Sequence, residues 1–131
     1  MEQKQINPWT WQDQYGFSQA IEVTNASRVL FCAGQTSVDD NGKPMHAGEM
    51  RKQIEQAFRN LETVLKASGY GLANVVRLNY YTTDVEGFLK ASDVVGGRLA
   101  AAKCQPPGTL LGVAKLAFPG LMIEIEATAA K

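Results

Sequence analysis

The sequence holds few of the residues that bind metals or act as nucleophiles. It has one histidine, His46, and two cysteines, Cys32 and Cys104, far apart along the chain. A structural zinc site draws about four such ligands together at close spacing, so neither a metal nor another cofactor is expected. Cys104 precedes the Pro106-Pro107 pair and is the thiol with most reason to react, but His46 lies in a distant polar stretch. A Cys/His pair would therefore have to be assembled by folding. Charge of one sign is not in excess either: Lys+Arg and Asp+Glu each total 13. Without a net positive field, nucleic acid and anionic membrane are not expected partners. The apolar runs fall short of the roughly 20 residues that span a bilayer. The first residues lack the basic-then-apolar order of a secretory leader. A cytoplasmic location with both thiols reduced is expected, although two cysteines would suffice for one disulfide. A Gly-rich phosphate loop, a nucleotide fingerprint and a Ser/His/Asp order are all missing.

What is present reads as one domain over residues 1–131, with 45% hydrophobic residues to build a core and no repeat or linker to divide it. Residues 1–14 are polar apart from Pro8, Trp9 and Trp11 and are expected to lie as an arm. Strands are predicted over 17–23 and 28–33, joined through Asn25-Ala26-Ser27 as a hairpin. Asp39-Asp40-Asn41-Gly42-Lys43 has the chemistry of a second turn and too few ligands for a calcium loop. Met50, Ile54, Ala57, Phe58, Leu61, Val64 and Leu65 recur at the helical period and predict a helix over 47–68, ended by Gly69 and Gly71. Residues 74–83 read as a strand with Val76, Leu78 and Tyr80 on one face and Val75, Arg77, Asn79 and Tyr81 on the other. Asp84 caps a second predicted helix over 85–102, and strands over 109–113 and 121–128 complete the order β-β-α-β-α-β-β. Both helices can cover one face of a single mixed sheet, which is an α+β two-layer sandwich. In the last strand Ile123, Ile125 and Ala127 point one way, and Met122, Glu124, Glu126 and Thr128 the other. That second face suits contact with another subunit.

The C-terminal run Pro107-Gly108-Thr109-Leu110-Leu111-Gly112-Val113-Ala114-Lys115-Leu116, followed by Ile123-Glu124-Ile125-Glu126-Ala127, resembles the signature of the Rid (YjgF-like) reactive imine/enamine deaminases. Gly16-Phe17-Ser18-Gln19-Ala20, Ala33-Gly34-Gln35, Ser68-Gly69-Tyr70, and Asp84 with Phe88 extend the likeness over nearly the whole chain. It implies a chorismate-mutase-like sandwich that packs as a homotrimer, with a small-molecule cleft at each subunit boundary. It also implies which positions line that cleft: Phe17, Ala33, Ser92, Gly108, Thr109, Leu110 and Glu124. Family deaminases commonly carry tyrosine, serine, asparagine and arginine at the places of Phe17, Ala33, Ser92 and Gly108, and cysteine or a small residue near Leu110. Only Glu124 matches outright, and the loop Ala117-Phe118-Pro119-Gly120 is one residue longer than usual.

The departure at Gly108 bears most on chemistry. In the deaminases an arginine fork grips the carboxylate of a 2-imino acid. Losing such a charged, two-pronged contact costs roughly 2–5 kcal/mol of affinity unless another cation replaces it. Arg28, Arg77 and Arg98 are the candidates, with ordinary surface roles as the alternative for each. Glu124 is the candidate general acid or base, against a purely structural pairing. Trp9, Trp11 and Phe17 stand either as an aromatic pocket wall or as arm packing. Three readings follow: a hydrolase of an imine or enamine other than the usual 2-imino acids, a metabolite-binding module without catalysis, and the endoribonuclease or translation-inhibitor activity with which some relatives are labelled. The balanced charge and the lack of interleaved basic and aromatic residues oppose the third.

Overall fold

A computed structural model describes residues 1–131. In chain order the strands and helices are β1 (Glu2–Ile6), β2 (Ala20–Thr24), β3 (Val29–Phe31), β4 (Gln35–Thr36), α1 (Met50–Ala67), β5 (Val75–Thr82), α2 (Val85–Lys90), α3 (Ser92–Ala101), β6 (Leu110–Gly112) and β7 (Ile123–Ala130). The alternation in β7 sets the architecture, because Ile123, Ile125, Ala127 and Ala129 are buried while Glu124, Glu126 and Thr128 face away. An apolar sheet face must be covered. The stripe Ile54, Ala57, Phe58, Leu61 and Leu65 of α1 covers it, each of these side chains being fully buried. The main sheet runs β3-β7-β5-β6 with β4 also on β7, all pairs antiparallel except β5 with β6. This is a mixed sheet with its helices on one face, an α+β two-layer sandwich.

Several elements differ from the sequence expectation. The predicted second helix is two helices, α2 and α3, parted at Ala91. There the bonds tighten to three-residue spacing, Ala91 N–H donating to the Phe88 carbonyl and Val94 N–H to the Ala91 carbonyl. The apolar stripe survives the break, since Phe88, Ala91, Val95 and Leu99 are all buried. In β5 the partner of Val75 is Ala129 and that of Arg77 is Thr128, so Val76 is an extra residue in a bulge. Val75 thereby joins Leu78 on the core face, the reverse of strict alternation. The expected arm holds a strand, β1, and the expected hairpin does not form: β2 pairs with β1 in a separate two-stranded ribbon, and β3 pairs with β7.

Loops are fixed by buried polar contacts. Gln53 is fully buried; its amide donates to the carbonyls of His46 and Gly120 and accepts from Met122 N–H. The Asp39–Lys43 turn forms as expected, with Asp39 accepting from the N–H groups of Asn41 and Lys43 and Gly42 at φ 77. Cys32 and Cys104 are both free and buried. No helix is long and apolar enough to cross a membrane.

Candidate active site on the open sheet face

Alternation in β7 presents Glu124 on the face away from the helices, with Tyr81 of β5 and Thr36 of β4 as its cross-strand partners. Its half-buried carboxylate lies over the backbone of Gly34. A Cβ at that position would fall 2.0 Å from Glu124 Oε1, so the glycine is what gives the carboxylate its place. None of the chain's ion pairs includes Glu124.

Glu126, two residues on, is committed to structure. Its Oε1 accepts from Asn79 Nδ2 at 3.1 Å and from the Tyr81 hydroxyl at 3.0 Å. The Asn79 side-chain oxygen Oδ1 in turn accepts from Thr109 N–H at 3.1 Å, which ties this face to the loop holding Gly108. The hydrogen bond to Glu126 is the largest cause raising the Tyr81 pKa, followed by burial and the negative charges of Glu126 and Glu124; Arg77 opposes them. Tyr81 therefore stays a neutral donor at ordinary pH. Sequence reasoning assigned no site role to Tyr81, Asn79 or Glu126. The signal available was their shared side of β5 and β7, which becomes informative only once the register is known.

Gly108 lies against β5. A Cβ built there would meet the Leu78 carbonyl oxygen at 1.7 Å, and the flanking hydrogen bonds, Leu78 N–H to Pro107 and Tyr80 N–H to Thr109, hold the two backbones together. No side chain fits this backbone, so at position 108 the loop makes a main-chain contact with β5. Thr109 is exposed beside it, whereas Leu110 packs against the helical core. Ala33 is exposed and adjoins Gly34. Ser92 begins α3 in the helical layer, on the other side of the sheet from Glu124. Phe17 is half-buried and meets Trp11 edge-on at 5.8 Å; the neighbouring Ser18 N–H donates to the Gln105 carbonyl. Trp9 stays exposed, outside this cluster. Within one chain, Glu124, Ala33, Gly34 and the Gly108–Thr109 loop thus belong to the open face, and Ser92 and Leu110 do not.

The three candidate cations separate clearly. Arg98 pairs with Glu62 at 2.5 Å, and Arg28 stacks over the Tyr70 ring at 5.1 Å. Arg77 alone of the three lies on the face of Glu124, opposite Thr128 and in no ion pair. Cys104 is removed from consideration: burial pushes its thiol up to about 11, its Sγ contacts the Val75 carbonyl, and His46 sits beside Glu49 instead. Two shallow surface concavities, one around Glu49, Arg51 and Lys90 and one around Asp39, Asn41 and Gln56, lie away from the predicted site residues.

A mixed sheet with its helices on one face and Glu124 on the other is a two-layer α+β sandwich. A sequence profile of the family described as Endoribonuclease L-PSP matches residues 12–131, and the chain belongs to this family, the Rid (YjgF-like) proteins. A RutC family protein of Pyrococcus horikoshii is 32% identical over 115 residues, 88% of this chain and 86% of the relative. A Dermatophagoides farinae protein named 2-iminobutanoate/2-iminopropanoate deaminase is 30% identical over 79 residues, 60% of this chain and 59% of the relative. Among solved structures, the Rid-family protein YyfB of unknown function from Yersinia pestis matches with TM-score 0.89 and 34% identity over 100% of both chains. RidA from an Antarctic Psychrobacter matches with TM-score 0.69 and 28% identity over 88% of each.

Proposed function

We propose that this Rid-family chain binds a small metabolite beside Glu124 and hydrolyses an imine or enamine whose recognition does not use a carboxylate clamp. The observation that carries this reading is the pairing of an uncommitted carboxylate over Gly34 with a Gly108 backbone that has no room for a side chain. The first supplies a proton acceptor for water. The second removes the group that would select 2-imino acids. In the reaction, water adds to the C=N carbon as Glu124 takes its proton, and the proton passes to the nitrogen. The resulting carbinolamine collapses, the C–N bond breaks, ammonia leaves and a carbonyl remains. The relative named as a 2-iminobutanoate/2-iminopropanoate deaminase supports the reaction class. Assembly as a homotrimer with the site at each subunit boundary belongs to the same reading.

A metabolite-binding module without turnover is the second reading, favoured by the apolar or absent side chains at Phe17, Ala33 and Gly108. Endoribonuclease action, present in the family's description, is disfavoured by the equal counts of acidic and basic residues. The deciding experiment is hydrolysis of freshly generated 2-iminopropionate and of uncharged imines and enamines by the intact protein and by Glu124→Gln. Turnover confined to substrates without a carboxylate, and reduced at least about 100-fold by Glu124→Gln, is the expected outcome. Full activity in Glu124→Gln would sink the catalytic role, and no turnover across the panel would leave the binding module.

A further inference from the structure

β2 and β3 follow one another with only residues 25–28 between them, yet each keeps an unpaired edge, because β2 pairs with β1 alone and β3 with β7 alone. Bonds to the β7 side flank β3 at both ends, where Arg28 N–H donates to the Lys131 carbonyl, Lys131 N–H to the Arg28 carbonyl, and Cys32 N–H to the Ala127 carbonyl, with Leu30 registered on Ala129 between them. Alternation along an antiparallel ladder then aims the N–H and C=O groups of Val29 and Phe31 at the open edge. Their side chains are bare as well, Phe31 being 79% and Val29 52% exposed.

β2 carries the complement. Ile21 and Val23 share one side of the strand, and setting Val23 opposite Val29 brings Ile21 opposite Phe31. Apolar residues then meet on one face in a register continuous with the antiparallel sheet. The same chain could make this pairing only by turning back at residues 25–28, and it does not. A two-stranded ribbon standing apart from the sheet is marginal in water. An unmade pairing between an extended arm and an open edge of the same sequence is the geometry of arm exchange between copies.

We propose that β2 of one copy pairs with β3 of a second copy, Val23 opposite Val29 and Ile21 opposite Phe31, with residues 25–28 as an open hinge. The exchange stands whatever the site binds; its consequence for the site rests on the Glu124 reading. The base of the ribbon is tied to its own chain's 105–108 loop, through Ser18 N–H to the Gln105 carbonyl at 3.1 Å and Gln5 Nε2 to Gln105 Oε1 at 2.9 Å. In the stated register Gln19 of the visiting copy falls opposite Ala33 of the host, next to Gly34 and Glu124. The visitor's Phe17 and Gln105 are thereby carried toward the host's Glu124 shelf, so that two copies contribute to one site.

The test is a cysteine pair, Ile21→Cys with Phe31→Cys, both outside the core cluster. The spacing of directly opposed strand residues suits a disulfide, and the native thiols are buried. Mild oxidation should give covalent dimers and larger species on a non-reducing gel, with neither single variant doing so. Cross-linking that leaves the mass of one chain would overturn the exchange in favour of a closed hairpin, and failure to cross-link would overturn the pairing itself. If the double variant misfolds, hydrogen exchange on the unaltered chain reads the same contact. The amides of Val29 and Phe31 should gain at least tenfold protection as protein concentration rises, and protection independent of concentration, or none, would refute it. Neither readout involves turnover, so loss of the hydrolase reading leaves this result intact.

Discussion

Two glycines show how much a single backbone position decides. Gly34 lets the Glu124 carboxylate rest on the main chain, and Gly108 lets the loop before β6 close on Leu78. The glycine at 108 is visible from the sequence; the reason a larger residue cannot simply replace it is not, because it lies in a contact between residues thirty positions apart. Even the smallest side chain collides with a backbone oxygen, which cannot rotate away as a flexible side chain would. Gly108→Ala should therefore lose about 1–3 kcal/mol or more of stability in urea unfolding. Gly108→Arg should be destabilised at least as much without gaining turnover of 2-iminopropionate. A stable Gly108→Arg that hydrolyses that substrate would show that the loop opens to restore the clamp.

Among the elements, periodicity located α1 and β7 well because each has a sharp buried stripe. It misassigned Val75 because a bulge adds a residue without changing the composition of the strand. It merged α2 and α3 because the break at Ala91 leaves the apolar stripe in phase. The junction of α1 with β7 depends on Gln53, a polar residue on an otherwise apolar face. Its three hydrogen bonds anchor the loops ending at His46 and Gly120 and the N–H of Met122, two residues before Glu124. Gln53→Leu keeps the volume but orphans those backbone groups, at a cost of about 2–4 kcal/mol. Chemical denaturation should register that loss, and any Glu124-dependent turnover should fall with it as the entry to β7 loosens.

For the molecule as a whole, the core lets pH act through cysteine. Burial raises the Cys104 thiol from 9.0 to about 11 and raises Cys32 in the same direction. Between those values the unfolded chain has released protons that the folded chain retains, so stability falls as pH rises. Its contribution is complete below pH 9 and is lost progressively up to about pH 11. Unfolding midpoints measured from pH 8 to 11 should decline over that window, and Cys104→Ala should flatten the decline. A thiol reagent at pH 8 should label neither cysteine until the chain unfolds.

Local patterns in the sequence determined the two-layer class, the covered face of the sheet, the turn at Asp39–Lys43 and the outward direction of Glu124. Each depends on spacing within one segment or on the chemistry of a few adjacent residues. Tertiary structure alone decided that Gly108 abuts Leu78, that Glu126 is spent on Tyr81 and Asn79, that Arg77 is the one candidate cation on the open face, and that β2 leaves β3 unpaired. These features join residues far apart in the chain. The competition between such contacts is settled by packing and hydrogen-bond geometry, which no single segment encodes.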